Sequence, residues 1–211
     1  MSNIHHQDTD TLAALVAPYR KTGVTKRSEA NIRQSVEELL AQMTLEEKIG
    51  QMSQCADSEF SFGADIEAAP TDVLVREGRV GSILGAFNSR RTFDLQKMAV
   101  EQSRLGIPLF FNADVIHGYQ TIFPIPLAWA SSWNMEQIRE ACVIAAREAT
   151  ASGITYNHGP MVDISRDARW GRVMEGAGED PYLGSLIAKA QVEGFQGDNL
   201  FNEETLIACL K

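Results

Sequence analysis

The sequence predicts an α/β fold: the first half of a (β/α)8 TIM-type barrel, preceded by N-terminal helices. Three observations carry this. Short apolar runs alternate with helix-period segments, the pattern of βαβ units on a parallel sheet. Polar residues stand at the carboxyl ends of the predicted strands, where such sheets place their sites. No Gly-x-Gly-x-x-Gly or Walker-type loop follows any strand, which disfavours a nucleotide fold.

The elements follow in order. Residues 1–28 are polar and mixed, a lead-in set apart from a domain over 29–211. From about Asn31 the period is helical, with Ile32, Val36, Leu39, Leu40 and Met43 on one face. Thr44-Leu-Glu-Glu47 is a capping box that opens a second helix, lined by Leu45, Ile49 and Met52. Residues 57–70 read as loop. Val80-Gly-Ser-Ile-Leu-Gly85 is a first buried strand, Thr92–Arg104 a helix, and Gly106 its stop. Ile107–Asp114 is a second strand, followed by a long loop holding Phe123-Pro-Ile-Pro126. Asn134 caps a helix with Ile138, Ala141, Cys142, Ala145 and Ala149 on one stripe, and Gly153 ends it. Ile154–Pro160 is a third strand. Asp180-Pro181 opens a helix carrying Leu183, Ile187, Ala190 and Phe195. Thr205–Lys211 is a fourth strand, left as an exposed edge. A closed barrel needs eight strands in typically ~250 residues, so four strands make half of one.

Composition excludes several classes. The chain has 211 residues, 44% hydrophobic and 22% charged, and a net charge of -9. That profile fits an ordinary globular protein and offers no basic face for nucleic acid. No apolar run reaches the ~20 residues of a membrane span. The N-terminus lacks the pattern of a signal peptide, which makes the cytoplasm the expected compartment, with periplasm or secretion following if Met1 is not the true start. Cys55, Cys142 and Cys209 are widely spaced in apolar contexts and read as free thiols. With only His117 and His158 beyond the lead-in, and no HxH or HExxH spacing, a metal site is not expected.

The most unusual stretch runs from Asp163 to Leu183. It holds three arginines, five carboxylates, a tryptophan and three glycines. Arg166, Arg169 and Arg172 recur every three residues among Asp167, Glu175, Glu179 and Asp180. Arginine suits bidentate contact with carboxylates or vicinal oxygens, so the stretch is either a polar binding wall or a salt-bridge knot. Asp114-Val-Ile-His117-Gly118 is the second motif. Asp114 ends a buried strand, where a carboxylate must be satisfied by donors or used by a ligand. His117 reads as a core histidine bonded to backbone. Trp129 and Trp133, four apart, read as core packing, and Trp170 as a plug or a cleft wall. Glycoside hydrolysis would need two carboxylates, and Asp114, Asp163, Asp167, Glu175, Glu179 and Asp180 are all candidates. Spacing does not choose a pair.

Several motifs, in order, resemble glycoside hydrolase family 3, in particular its bacterial β-glucosidase type. They are Met43-Thr-Leu-Glu-Glu-Lys-Ile-Gly-Gln51, Asp114-Val-Ile-His-Gly118, Phe123-Pro-Ile-Pro126, Arg166-Asp-Ala-Arg-Trp-Gly-Arg172 and Glu179-Asp-Pro-Tyr-Leu183. The resemblance runs from about residue 30 to residue 211. It implies a retaining exo-β-glycosidase whose substrate is a β-glucoside or oligosaccharide, with no cofactor. It implies substrate-binding roles for Asp114, Arg172 and Lys211 in the −1 subsite, with Arg166, Arg169, Glu175 and Asp180 as a salt-bridge frame. The His partnering Lys211, the nucleophile Asp and the acid/base Glu would lie past the chain end, in a C-terminal remainder of the parent enzyme, leaving this chain alone inactive. The alternatives are a β-xylosidase or β-N-acetylglucosaminidase of the same family, or a non-catalytic carbohydrate-binding remnant. Three places depart from the usual pattern: Ala168 replaces a Pro, Asn112-Ala113 precede Asp114, and Asn157-His158-Gly159 stand where Thr-Phe-Ala is common.

Overall fold

A computed structural model describes residues 27–58 and 69–211. The chain divides into two compact units, one ending at Met43 and one running from Thr44 to Lys211.

In the first unit, α1 (Glu29–Gln42) starts at Ser28, whose hydroxyl accepts from the Asn31 amide. The predicted apolar stripe is there, but it is not core: Ile32 is 49% and Val36 47% exposed, and no residue of α1 is buried.

The second unit opens with α2 (Leu45–Gln51), and its capping box is complete. Thr44 Oγ1 accepts from Glu47 N, and Glu47 Oε2 accepts from Thr44 N at 2.9 Å. Leu45, Ile49 and Met52 are exposed, so they do not line a core as the period suggests. The buried residue is Gly50, because the helix lies directly on the backbone of Gly78 and Arg79. A methyl on Gly50 would sit 2.2 Å from the Gly78 carbonyl oxygen.

A five-stranded, all-parallel sheet follows, in the order β1-β2-β3-β4-β5. Its strands are β1 (Gln54–Ala56), β2 (Ser82–Leu84), β3 (Phe110–Ala113), β4 (Tyr156–Asn157) and β5 (Ile207–Ala208). The expected count of four is therefore corrected to five among the described residues. The sequence pattern misses β1 because three residues carry no readable period. It also misses α3 (Thr71–Arg76) inside or beside the expected loop, though residues 59–68 of that loop lie outside the described ones. The loop after β3 contains a further helix, α5 (Pro126–Ser132), begun by Pro126 at its first position.

The remaining helices match the pattern. Asn88 caps α4 (Ser89–Gln102), Asn134 caps α6 (Met135–Ala151) and Asp180 caps α7 (Pro181–Gln196). The stripes Ile138, Ala141, Cys142, Ala145, Ala149 and Leu183, Ile187, Ala190, Phe195 are all buried. At Gly194 the two helices nearly touch: a methyl there would lie 2.4 Å from the Arg139 carbonyl oxygen. The small residues of α6 allow that approach, and burying Ile187 and Phe195 contributes roughly 1.5–3 kcal/mol each. Trp129 joins this core, whereas Trp133 is exposed. Trp133 ends α5 in a left-handed conformation at φ 53°, which turns it outward.

Candidate active site

The sheet brings the carboxyl ends of its strands into one row. Asp57 follows β1, Gly85 follows β2, Asp114 follows β3, and His158 follows β4. Three of the four are tied by their backbone amides to an adjacent strand. Asp57 N donates to Leu84 O, Gly85 N to Asn112 O, and His158 N to Ala113 O. Lys211, three residues past β5, donates backbone N–H to Pro160 O at 3.0 Å.

Asp114 and Lys211, two of the three expected sugar ligands, meet. Lys211 Nζ donates to Asp114 Oδ1 at 2.5 Å, across 97 residues of chain. Both side chains are part-exposed, so the pair stays open to a ligand. The third, Arg172, is held by Glu175 in a bidentate fork, Nε to Oε1 at 2.7 Å and Nη2 to Oε2 at 2.6 Å. That fork holds the Glu175 carboxyl below its ordinary value, with the charge of Lys211 adding to the effect. It raises the Arg172 guanidinium, with Asp114 and Asp163 contributing. The two pairs thus share one electrostatic neighbourhood. Burial pushes the His158 imidazole down and Lys211 does the same, against the opposing pull of Asp114. His158 is consequently favoured in its neutral form beside the pair.

A cavity of about 500 Å³ opens here. Asp114, His117, Gln120 and Glu175 are among its polar lining, and Leu84, Phe87 and Met174 form part of its apolar wall. His117 Nδ1 lies 2.9 Å from Phe123 O, the backbone bond expected of it. The loop carrying it is gripped at its tip by Glu148, which accepts from Gln120 N, Thr121 N and Thr121 Oγ1 at 2.8, 2.8 and 2.6 Å. Those contacts, and the local amides, hold the Glu148 carboxyl below its ordinary value.

The expected salt-bridge frame is smaller than the motif suggests. Of its members only Glu175 bonds Arg172. Arg169 pairs with its near neighbour Asp167, and both are exposed. Asp180 is a helix cap, its Oδ1 accepting from Leu183 N at 2.7 Å. Arg166 forms no ion pair among the described residues. Trp170 is exposed and does not plug the loop. Local geometry explains this: with neighbours two or three residues away, short-range pairing satisfies the loop.

The sequence reading missed other polar groups. Asp57, 2% exposed, receives Arg91 in a bidentate contact at 2.7 and 3.0 Å, while Arg91 Nη1 reaches Asp72 at 2.9 Å. This triad ties the end of β1 to α3 and α4. Asn157 and Asn112 are buried within the sheet ends. These two the sequence does mark, as polar residues at the ends of predicted strands; their burial is what the structure adds. Among the described residues no group of three or more His, Cys, Asp or Glu could hold a metal ion. Likewise no helix is long and apolar enough to cross a membrane.

A parallel sheet with helical crossovers, carrying its charged cluster and its cavity at the strand ends, defines an α/β module of the TIM-barrel type. The model of the glycosyl hydrolase family 3 N terminal domain matches residues 44–211. The chain belongs to that family. A periplasmic beta-glucosidase of Salmonella typhimurium is 38% identical over 176 residues, which are 83% of this chain and 22% of the relative. The structure of a beta-glucosidase from Listeria innocua, solved with isofagomine, superposes with a TM-score of 0.76 at 45% identity, over 84% of this chain and 25% of that one. A beta-xylosidase of Formosa agariphila is 32% identical over 87% of this chain and 21% of its own length. The chain therefore spans about a quarter of the length of the relatives it matches.

Proposed function

We propose that this chain forms the sugar-holding side of a β-glucosidase, which removes terminal non-reducing β-D-glucosyl residues with retention. The observation that carries the proposal is the Asp114–Lys211 contact in the same electrostatic neighbourhood as the Arg172–Glu175 fork, with Asp114 of one pair and Glu175 of the other lining one cavity. Asp114 accepts from sugar hydroxyls while Lys211 donates to them. Arg172 spends Nε and Nη2 on Glu175, which aims the guanidinium and leaves Nη1 to donate to a sugar oxygen. Charge-assisted bonds of this kind are about twice as strong as neutral ones.

Retention takes two displacements. A carboxylate attacks the anomeric carbon while an acid protonates the leaving oxygen, and water then releases the glycosyl group with the acid acting as base. We assign the nucleophile Asp and the acid/base Glu to the remainder of the parent enzyme, consistent with the greater length of the relatives. The names of the Salmonella and Listeria relatives favour glucose over xylose. For the compartment we put the cytoplasm or the periplasm, the latter being the word in the Salmonella relative's name; cell fractionation separates the two.

The test is steady-state kinetics of the full-length enzyme on aryl β-glucoside and aryl β-xyloside. The proposal expects higher kcat/KM on the glucoside. Arg172→Ala should lower kcat/KM by about a hundredfold, in the range of truncated charge-assisted contacts, with a much smaller change in melting temperature. Equal loss of activity and fold would make Arg172 a structural residue. Turnover by the 211-residue chain alone would refute the assignment of the catalytic pair.

A further inference from the structure

Asn157 is fully buried at the carboxyl end of β4, between the strands that carry Asp114 and Lys211. Its carboxamide makes two bonds to one residue. Val115 N donates to Asn157 Oδ1 at 2.8 Å, and Asn157 Nδ2 donates to Val115 O at 3.1 Å. The side chain thus copies a peptide group. It adds one rung to the β3–β4 ladder after the backbone pairing Ala113↔Asn157 has ended. Val115 adjoins Asp114 in the chain. On its other side, Asn157 O accepts from Cys209 N at 3.1 Å, two residues from Lys211. One residue therefore touches the segments of both partners of the Asp114–Lys211 pair.

The neighbouring glycine is fitted to this arrangement. A methyl on Gly159 would lie 3.0 Å from Asn157 Nδ2, and its other nearest atoms belong to the same carboxamide. A side chain there would press on the rung itself.

We infer that Asn157 is a positioning residue for sugar recognition, which sets Asp114 against Lys211 through Val115, and that Gly159 is glycine to leave it room. The inference rests on the reading of Asp114 as a sugar ligand. Burial makes the rung consequential, because a buried donor or acceptor left without its partner is costly and the backbone shifts to avoid it. A shift of about 1 Å in a ligand-holding group can cost on the order of a hundredfold in rate or binding.

The experiment uses the full-length enzyme with Asn157→Ala, Asn157→Asp, Gly159→Ala, the Asn157→Ala/Gly159→Ala double variant, and Asp114→Asn as control. KM and kcat are measured on an aryl β-glucoside, and amide exchange is followed at Val115. Asn157→Ala should raise KM about tenfold or more with kcat within about threefold, the split expected when binding common to ground and transition states is lost. Val115 exchange should quicken by about tenfold. Gly159→Ala should move both in the same direction, and should add nothing once residue 157 is alanine. If Asn157→Ala does not fold, Asn157→Asp and Gly159→Ala carry the same criteria, since each disturbs the rung without emptying the site. Faster Val115 exchange with unchanged KM would overturn the positioning role. A Gly159→Ala effect of full size in the Asn157→Ala background would overturn the pairing. Should Asp114→Asn leave KM unchanged, the reading of Asp114 fails instead, and the exchange data and the double variant decide the rung by themselves.

Discussion

Arg91→Ala should be among the most destabilising single changes in the chain. The Arg91 side chain is 16% exposed and meets Asp57, 2% exposed, through Nε and Nη2, while Nη1 reaches Asp72. Removing the guanidinium leaves the Asp57 carboxylate buried with its compensating cation gone. Breaking one side of such a buried pair costs about 3–5 kcal/mol. Arg169→Ala is the internal standard. It removes an equally close pair with Asp167, but that arginine is 89% exposed, and solvent screening leaves such pairs little net effect on stability. Urea unfolding followed by circular dichroism should therefore show a large loss of stability for Arg91→Ala and little for Arg169→Ala. Arg91→Lys should fall between them, since it keeps the charge and loses the fork. Amide exchange in β1 should quicken first in Arg91→Ala, because the triad ties that edge strand to α3 and α4. Equal stability of the Arg91→Ala and Arg169→Ala variants would refute the argument that burial decides the strength of these pairs.

Two further outcomes follow from particular contacts. Glu47 bonds Arg104 and the Thr44 amide, and these hold its carboxyl down to about 2 from an ordinary 4.5. A depressed carboxyl stabilises the fold above its unfolded value and loses that contribution as pH falls. The stability gap between wild type and Glu47→Gln in urea should thus be full above pH 4.5 and shrink towards pH 2; a gap that grows on acidification would contradict this. Gly194→Ala should destabilise by about 1–3 kcal/mol through overpacking, despite a gain of up to ~1 kcal/mol in helix propensity. A methyl there meets the Arg139 carbonyl and Cys142 Cβ at 2.4 and 2.6 Å, so α6 and α7 must separate; a raised melting temperature would show that they do so freely.

Helix starts were the most legible feature of the sequence. Thr44, Asn134 and Asp180 cap the helices that follow them, because a cap is a contact over three residues and needs nothing else. The stripes of α6 and α7 were legible for a related reason, since a long apolar period leaves one face for the core. The same rule failed for α1 and α2, where the stripes are exposed. Period shows which residues share a face and not whether anything covers it. Strands of two to four residues gave little signal, so β1 was lost and the others were drawn too long.

The candidate site divides along the same line. The amino-acid sequence alone determined its ingredients: a carboxylate at the end of a strand, an arginine-rich turn, a lysine at the end of a later strand, and the family to which such motifs belong. Tertiary structure decided which of them meet. It joined Asp114 to Lys211 across 97 residues, gave Arg172 to Glu175, and left Arg169 and Trp170 at the surface. It also joined Arg91 to Asp57 and bonded the Asn157 carboxamide to Val115, contacts that no local pattern reveals. The reason is range. Caps and periods are set within one or two turns of chain, whereas an ion pair or a buried carboxamide gains its strength from burial and from a partner brought near only by the packed sheet.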